Sequence, residues 1–355
     1  MKNLLIYPFC KEFSEFARCA GILEGYDGVI LVAPKGFGLE GEDACVCDGG
    51  ERLDIRISSD YAAGIEQADA AFFGHTILNI SAPNYRQKIR TALAFNKKVF
   101  ITKELKEFLG DADDWEQTEV LEYTKGIFEN NLTLNLFLIP VPVILVIGIG
   151  DYCNKFSIQL KLKDYLSDQG YHIMNWGSKS FSKLFGIEPL PQFLFDPMDN
   201  GMKIKQLNAY IYGRIKEENP EAVIIGVPGG IMQTNPFKFD EFGELAFIIS
   251  NAVKADITVL SVYKQEYTHE FIEQLINICK YRYNFYVNYI NIANTDFYIS
   301  PDDKEYHFTT VPSKHIIDNI INNFKYDDVF LFNALNDASM REASAKIQKE
   351  LENNI

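Results

Sequence analysis

The chain has 355 residues, of which 47% are hydrophobic and 23% charged. That is the balance of a folded globular protein with length for two cores of ordinary size, which excludes extensive disorder and a single small domain. A formal net charge of -15 repels nucleic acid and anionic lipid, so neither is expected as a partner, although a local basic pocket can still hold a phosphate.

The opening, MKNLLIYPFCKEF, has its apolar stretch broken by Lys11 and Glu12 and is too short for a secretion signal, which predicts a soluble cytoplasmic protein. Short β-rich runs at residues 4–7, 29–33, 70–73 and 99–101 alternate with helical spacing at 13–23 and 85–96. That pattern predicts a parallel sheet covered by helices, a Rossmann-like or flavodoxin-like first domain over residues 1–110. After the second run come Pro34-Lys35-Gly36-Phe37-Gly38-Leu39-Glu40-Gly41 and Asp48-Gly49-Gly50, which read either as a binding loop at the carboxyl edge of this sheet or as a surface excursion.

An acidic connector over 111–139, with Asp111, Asp113, Asp114, Glu116, Glu119 and Glu122, precedes Pro140 and Pro142. Proline suits a strand entrance better than a strand centre. The apolar run 137–149 contains both prolines and falls short of the roughly 20 residues that cross a bilayer. It reads as a buried strand, and no membrane partner is expected.

A second α/β domain is expected over 140–325, P-loop-like and parallel. Its strands are predicted at 143–147, 171–175, 222–226 and 257–262, and its helices at 155–169, 204–217, 244–253 and 268–283. An aromatic β segment follows at 285–293. The spacings fit right-handed crossovers. Residues 326–355 read as a helical extension whose lysines and glutamates form either a solvated face or a docking face.

The most informative segment is Gly148-Ile149-Gly150-Asp151-Tyr152-Cys153-Asn154-Lys155-Phe156-Ser157, between a buried strand and a helix. Glycines let a phosphate approach backbone N–H groups, the helix start and Lys155 offset its charge, and Ser157 is placed to ligate magnesium. The pattern departs from GxxxxGK[ST] at Asn154, expected to hinder the curl of backbone around a phosphate, and at Phe156. With glycine seven residues before the lysine and hydroxyl two after, it is similar to the loop of dethiobiotin-synthetase-type enzymes.

A second loop, Gly226-Val227-Pro228-Gly229-Gly230, is expected at the same sheet edge, so the two frame a crevice. Gly226 stands where those enzymes often have an acid, and Asp151, Asp240 and Glu241 are the candidate magnesium or base groups. ATP or GTP with magnesium is the expected cofactor. Gly148-x-Gly150-x-x-Cys153 also begins like a dinucleotide fingerprint, but Cys153 replaces the third glycine and no acid ends the next strand. With Ser178 and Lys179 near a phosphate, a nicotinamide dinucleotide is a minor alternative.

Five histidines (His75, His172, His269, His307, His315) form no HExxH set, and no GxSxG elbow accompanies them. Six scattered cysteines read as reduced thiols. Cys45 and Cys47 lack the spacing of a structural zinc site, and no metal site is expected.

Taken together, LLIYPF, PKGFGLEGEDA with DGG, VIGIGDYCNKFSIQL, WGSKSFSKLFG and AVIIGVPGGIM resemble the clostridial peptide maturation system proteins over about residues 1–300. That resemblance implies a role in maturing a ribosomally synthesised peptide natural product, with a precursor peptide and a separate radical-SAM maturase as partners. Gly148, Gly150, Asn154, Lys155, Gly229 and Gly230 fall on its motifs. Two functions follow as expectations: a nucleotide-using accessory protein, or a noncatalytic scaffold that presents the precursor. A homo-oligomer is compatible with either.

Overall fold

The computed structural model describes residues 1–110, 117–126, 135–233, 236, 243–302, 304–326 and 329–354. Asp111, Asp113, Asp114, Glu116, Asp240 and Glu241 lie outside them. The chain divides into two compact units, one of Met1–Asp48, Arg52–Tyr123 and Lys179–Pro189, the other of Gly49–Glu51, Thr124–Ser178 and Leu190–Ile355.

In the first unit β1 (Asn3–Tyr7), β2 (Gly28–Leu31), β3 (Ala70–Phe73), β4 (Lys98–Thr102) and β5 (Glu119–Leu121) form a parallel sheet in the order β2-β1-β3-β4-β5. This is the flavodoxin-like order. Its helices are α1 (Glu15–Arg18), α2 (Tyr61–Gln67), α3 (Ala82–Ala94) and α4 (Lys103–Leu109). Side chains alternate across a strand, so Leu5 and Tyr7 share one face of β1 and join Ile65 of α2 and Tyr85 and Ile89 of α3 in one core cluster.

Residues 13–23, expected as one helix, are broken. Cys19 leaves the helical region (φ -118°, ψ 31°), so α1 ends after a single turn, between short 3₁₀ turns at Lys11–Phe13 and Ala20–Ile22. The apolar spacing survives because Phe13 and Phe16 still bury their rings, 5.3 and 4.6 Å from that of Phe72.

The second unit holds β6 (Val143–Gly148), β7 (Ile173–Gly177), β9 (Ala222–Gly226), β10 (Ile257–Val262), β11 (Tyr289–Ile292) and β14 (Phe330–Phe332). They make a parallel sheet in the order β14-β11-β10-β6-β9-β7, while the two-residue strand β8 (Glu188–Pro189) falls among the residues of the first unit. β6 begins just after Pro142, is buried throughout, and pairs in parallel with β9 and β10. A strand buried on both faces must be apolar along its whole length, as VILVIG is. β7 lies two residues further along than the expected strand, which buries Trp176.

The helices are α5 (Lys155–Asp168), α6 (Asn200–Glu218), α7 (Glu244–Ala252), α8 (His269–Tyr283), α9 (Ser313–Ile316) and α10 (Asp337–Asn354). Ile144 and Val146 face α5 and α10, while Val143, Leu145 and Ile147 face α6, α7 and α8. The stretch expected as a helical extension therefore contains an edge strand and a helix whose Met340, Ala343, Ile347 and Leu351 belong to the core. An antiparallel hairpin of β12 (Thr295–Ile299) and β13 (Tyr306–Thr310), not foreseen from the sequence, continues the aromatic segment. Among the described residues no helix is long and apolar enough to cross a membrane.

Candidate phosphate-binding loops

The turn between β6 and α5 is built from two left-handed residues, Tyr152 (φ 56°) and Asn154 (φ 62°, ψ 19°), with Cys153 between them and Lys155 after them outside that region. Such an alternation of handedness makes a nest, in which successive peptide N–H groups converge as an anion-binding concavity. Asparagine is among the few residues other than glycine that visit this region routinely. Asn154 therefore holds, in front of the lysine, a left-handed backbone of the kind that glycine adopts at no steric cost. Its side chain is tied to the chain, Asn154 Oδ1 accepting the backbone N–H of Asn294 at 3.0 Å.

Tyr152 is a bulky residue in a strained conformation, and its surroundings hold it there. Its carbonyl accepts from Thr295 Oγ1 at 2.7 Å and its ring lies 4.7 Å from that of Phe308. The neighbouring carbonyls are held likewise. Asp151 accepts from Tyr263 Oη at 2.7 Å, and Cys153 accepts from Ser261 Oγ and from Asn291 Nδ2 at 3.4 Å. In a trans peptide the following N–H points opposite to each carbonyl. The N–H groups of Tyr152, Cys153 and Asn154 are thereby turned away from β10, β11 and β12.

Lys155, only 9% exposed, sends Nζ across to the Gly229 carbonyl, so the two glycine loops are joined through the lysine. They also meet through backbone, as the parallel pairing of β6 with β9 requires: Ile231 N–H donates to Gly148 O at 3.0 Å and Val227 N–H to Val146 O at 2.9 Å. Close approach explains the glycines. A Cβ at Gly230 would lie 2.5 Å from Ile149 O, one at Gly150 2.2 Å from Tyr263 Oη, and one at Gly148 2.9 Å from Lys155 Cδ. Gly229 has φ +68° and supplies its turn.

Gly226 has a different neighbour. A Cβ there would lie 2.1 Å from Gln159 Oε1. The space an acidic side chain would take at this strand end is filled by the fully buried Gln159, whose Nε2 donates to Asn175 Oδ1 at 3.1 Å and Trp176 O at 2.9 Å. Gln159 Oε1 has no partner among the described residues. Asn175, expected at the end of its strand, is the central residue of β7 and is committed to packing.

The Asp151 side chain is exposed and contributes its carbonyl, while Ser157 in the first turn of α5 is buried. Burial pushes the Cys153 thiol up to about 11 against the opposing Lys155 ammonium, which leaves a neutral thiol at neutral pH. Burial, reinforced by Cys153 and Asp151, raises Tyr263 and keeps its hydroxyl a donor. Among the described residues no three His, Cys, Asp or Glu side chains gather in a metal-holding group.

The residues that shape the loop from outside, Gln159, Ser261, Tyr263, Asn291, Asn294 and Thr295, are not evident in the motif. Their one signal is a polar residue inside an apolar strand, as with Ser261 in ITVLSV and Asn291 in YINI.

No protein-family model matches this chain, and no curated protein matches it. Among solved structures the chain is similar to a DUF1611 family protein from Anabaena variabilis, with a TM-score of 0.51 and 14% identity over 82% of this chain and 88% of that one. The likeness is one of fold. A nucleotide-binding protein in complex with ADP from Archaeoglobus fulgidus is also found, at a TM-score of 0.35 and 15% identity over 59% of this chain and 87% of that one; at that score it carries no argument.

Proposed function

We propose that the loop from Gly148 to Ser157 binds the phosphates of a nucleotide, ATP or GTP, and that the protein uses this binding as an accessory factor in maturing a ribosomally synthesised peptide. The supporting observation is the alternating backbone at Tyr152, Cys153 and Asn154 followed directly by a buried lysine. Converging N–H groups and one ammonium neutralise a polyphosphate with little reorganisation, because the outward carbonyls are already held by side chains. An ammonium has three donors, so Lys155 can keep Gly229 O and still meet a phosphate oxygen. Ser157, in the first turn of α5, is the residue that would meet a magnesium ion travelling with the nucleotide.

The peptide-maturation context rests on the sequence resemblance, with precursor peptide and maturase as its partners. Calorimetric titration with ATP, GTP and NADPH, each with and without magnesium, tests the nucleotide reading. Saturable binding of ATP or GTP that Lys155→Ala weakens at least tenfold is expected. No heat with any of the three would sink it and favour a scaffold that captures the precursor without nucleotide.

A further inference from the structure

The first unit has its own pocket, of about 650 Å³, at the carboxyl ends of β1 and β2 and beside the start of α3. Ligand cavities of ordinary proteins span roughly 300 to 1,000 Å³. In the order β2-β1-β3-β4-β5 the chain turns back at β1, and ligands of open α/β sheets bind where the strand order reverses. The glycine-rich segment after β2 supplies Pro34, Lys35 and Phe37 to the wall, and α3 supplies Lys88.

Charge decides what such a pocket admits. The chain as a whole is acidic, yet α3 carries Arg86, Lys88 and Arg90 and no acidic residue. Lys35 and Lys88 line the same space, and among the described residues neither has a carboxylate within ion-pair distance. The one acid in the lining, Asp60, caps α2, its Oδ1 accepting the N–H of Ala63 at 3.1 Å, and the two lysines outnumber it. Lys88 Nζ stands 5.0 and 4.8 Å from the ring centres of Tyr7 and Tyr61. Burial, and then repulsion from Lys35, lowers its pKa below the usual lysine range. Two cations that repel each other across a cavity are relieved by a dianion between them, and a phosphate monoester carries about 1.5 to 2 negative charges at neutral pH.

We propose that this pocket binds a small organic phosphate monoester, its phosphate between Lys35 and Lys88 and its organic part against Phe37 and Pro34. The site is separate from the glycine loops around Lys155 and stands whether or not those bind nucleotide.

Pyridoxal 5′-phosphate tests the site. Its phosphate is the proposed ligand group, and with that phosphate held by one of the two lysines its aldehyde condenses with the neutral amine of the other, losing water, to an imine that borohydride reduces to a stable secondary amine. Full-length protein treated in this way and mapped by peptide mass spectrometry is expected to be labelled first on Lys88 or Lys35. Phenyl phosphate is expected to slow that labelling at least tenfold, and phenol to leave it unchanged. Lys155→Ala should label at the same two positions. Label spread evenly over the lysines, label confined to Lys155, or label at Lys35 and Lys88 that phenyl phosphate does not slow would each overturn the proposal.

Discussion

Asn154 shows how much a single residue type can conceal. Its left-handed backbone and its bond to Asn294 N–H make two separable demands. Asn154→Ala should lower stability by about 1 to 2 kcal/mol through the backbone alone, whereas Asn154→Gly should cost less because only the side-chain bond is lost. Urea midpoints at unchanged slope would measure both, and an alanine variant as stable as wild type would remove the case for strain. Glu15 carries a second residue-scale prediction. It is partly exposed, but Oε2 is enclosed without a partner among the described residues, and burial raises its pKa to about 7 despite the Lys179 ammonium. The unfolded chain loses this proton in the ordinary carboxyl range while the folded chain keeps it. Stability therefore falls as pH rises from that range to about 7, by roughly 3 kcal/mol, and is flat above. Glu15→Gln should remove that slope, making the protein more stable than wild type at pH 8 and equal to it at pH 4; parallel pH profiles would show the assignment to be mistaken.

At the scale of elements, the glycine loops are a joint between two adjacent strands. Gly230 touches backbone, and backbone cannot rotate out of the way as the end of a long side chain can. Gly230→Ala is expected to cost about 1 to 3 kcal/mol by forcing the β9 loop from the β6 loop, with a drop in thermal midpoint as its measure. Gly226→Asp, which puts an acid at the end of β9, should fail for another reason, since its Cβ meets the buried amide of Gln159. Gly226→Asp with Gln159→Ala should recover part of the lost stability; equal midpoints for the single and double variants would show that Gln159 is not the obstacle. The loop's glycine and lysine spacing was legible in the sequence because each turn residue acts through its own backbone. The donors that hold its carbonyls were not, because Ser261, Asn291 and Thr295 come from strands more than a hundred residues away.

Across each whole unit, coverage of the sheet faces sets the limits. α10 closes one face of the second unit's sheet through Met340, Ala343, Ile347 and Leu351, against a cluster containing Ile144, Val146, Ile158 and Leu162. Ending the chain after Asn336 uncovers that cluster. The shortened protein should keep much of its far-ultraviolet circular dichroism yet bind a hydrophobic dye and unfold without a sharp transition. A cooperative melt at the wild-type temperature would mean that α10 is peripheral.

The α/β class, most strand positions, the proline-marked entrance of β6 and the two glycine loops were readable from the amino-acid order alone. All of these follow from hydrophobic period and turn chemistry, which act over a few residues. The remainder depended on packing between distant segments. That packing broke residues 13–23 into separate turns because buried phenylalanines, not helical length, satisfy that face. It drew Phe332 and α10 into the core because the sheet had a face and an edge to cover. It also let Asn154 serve where a glycine was expected, since only contacts with β10, β11 and β12 and the Asn294 N–H could hold that backbone in place.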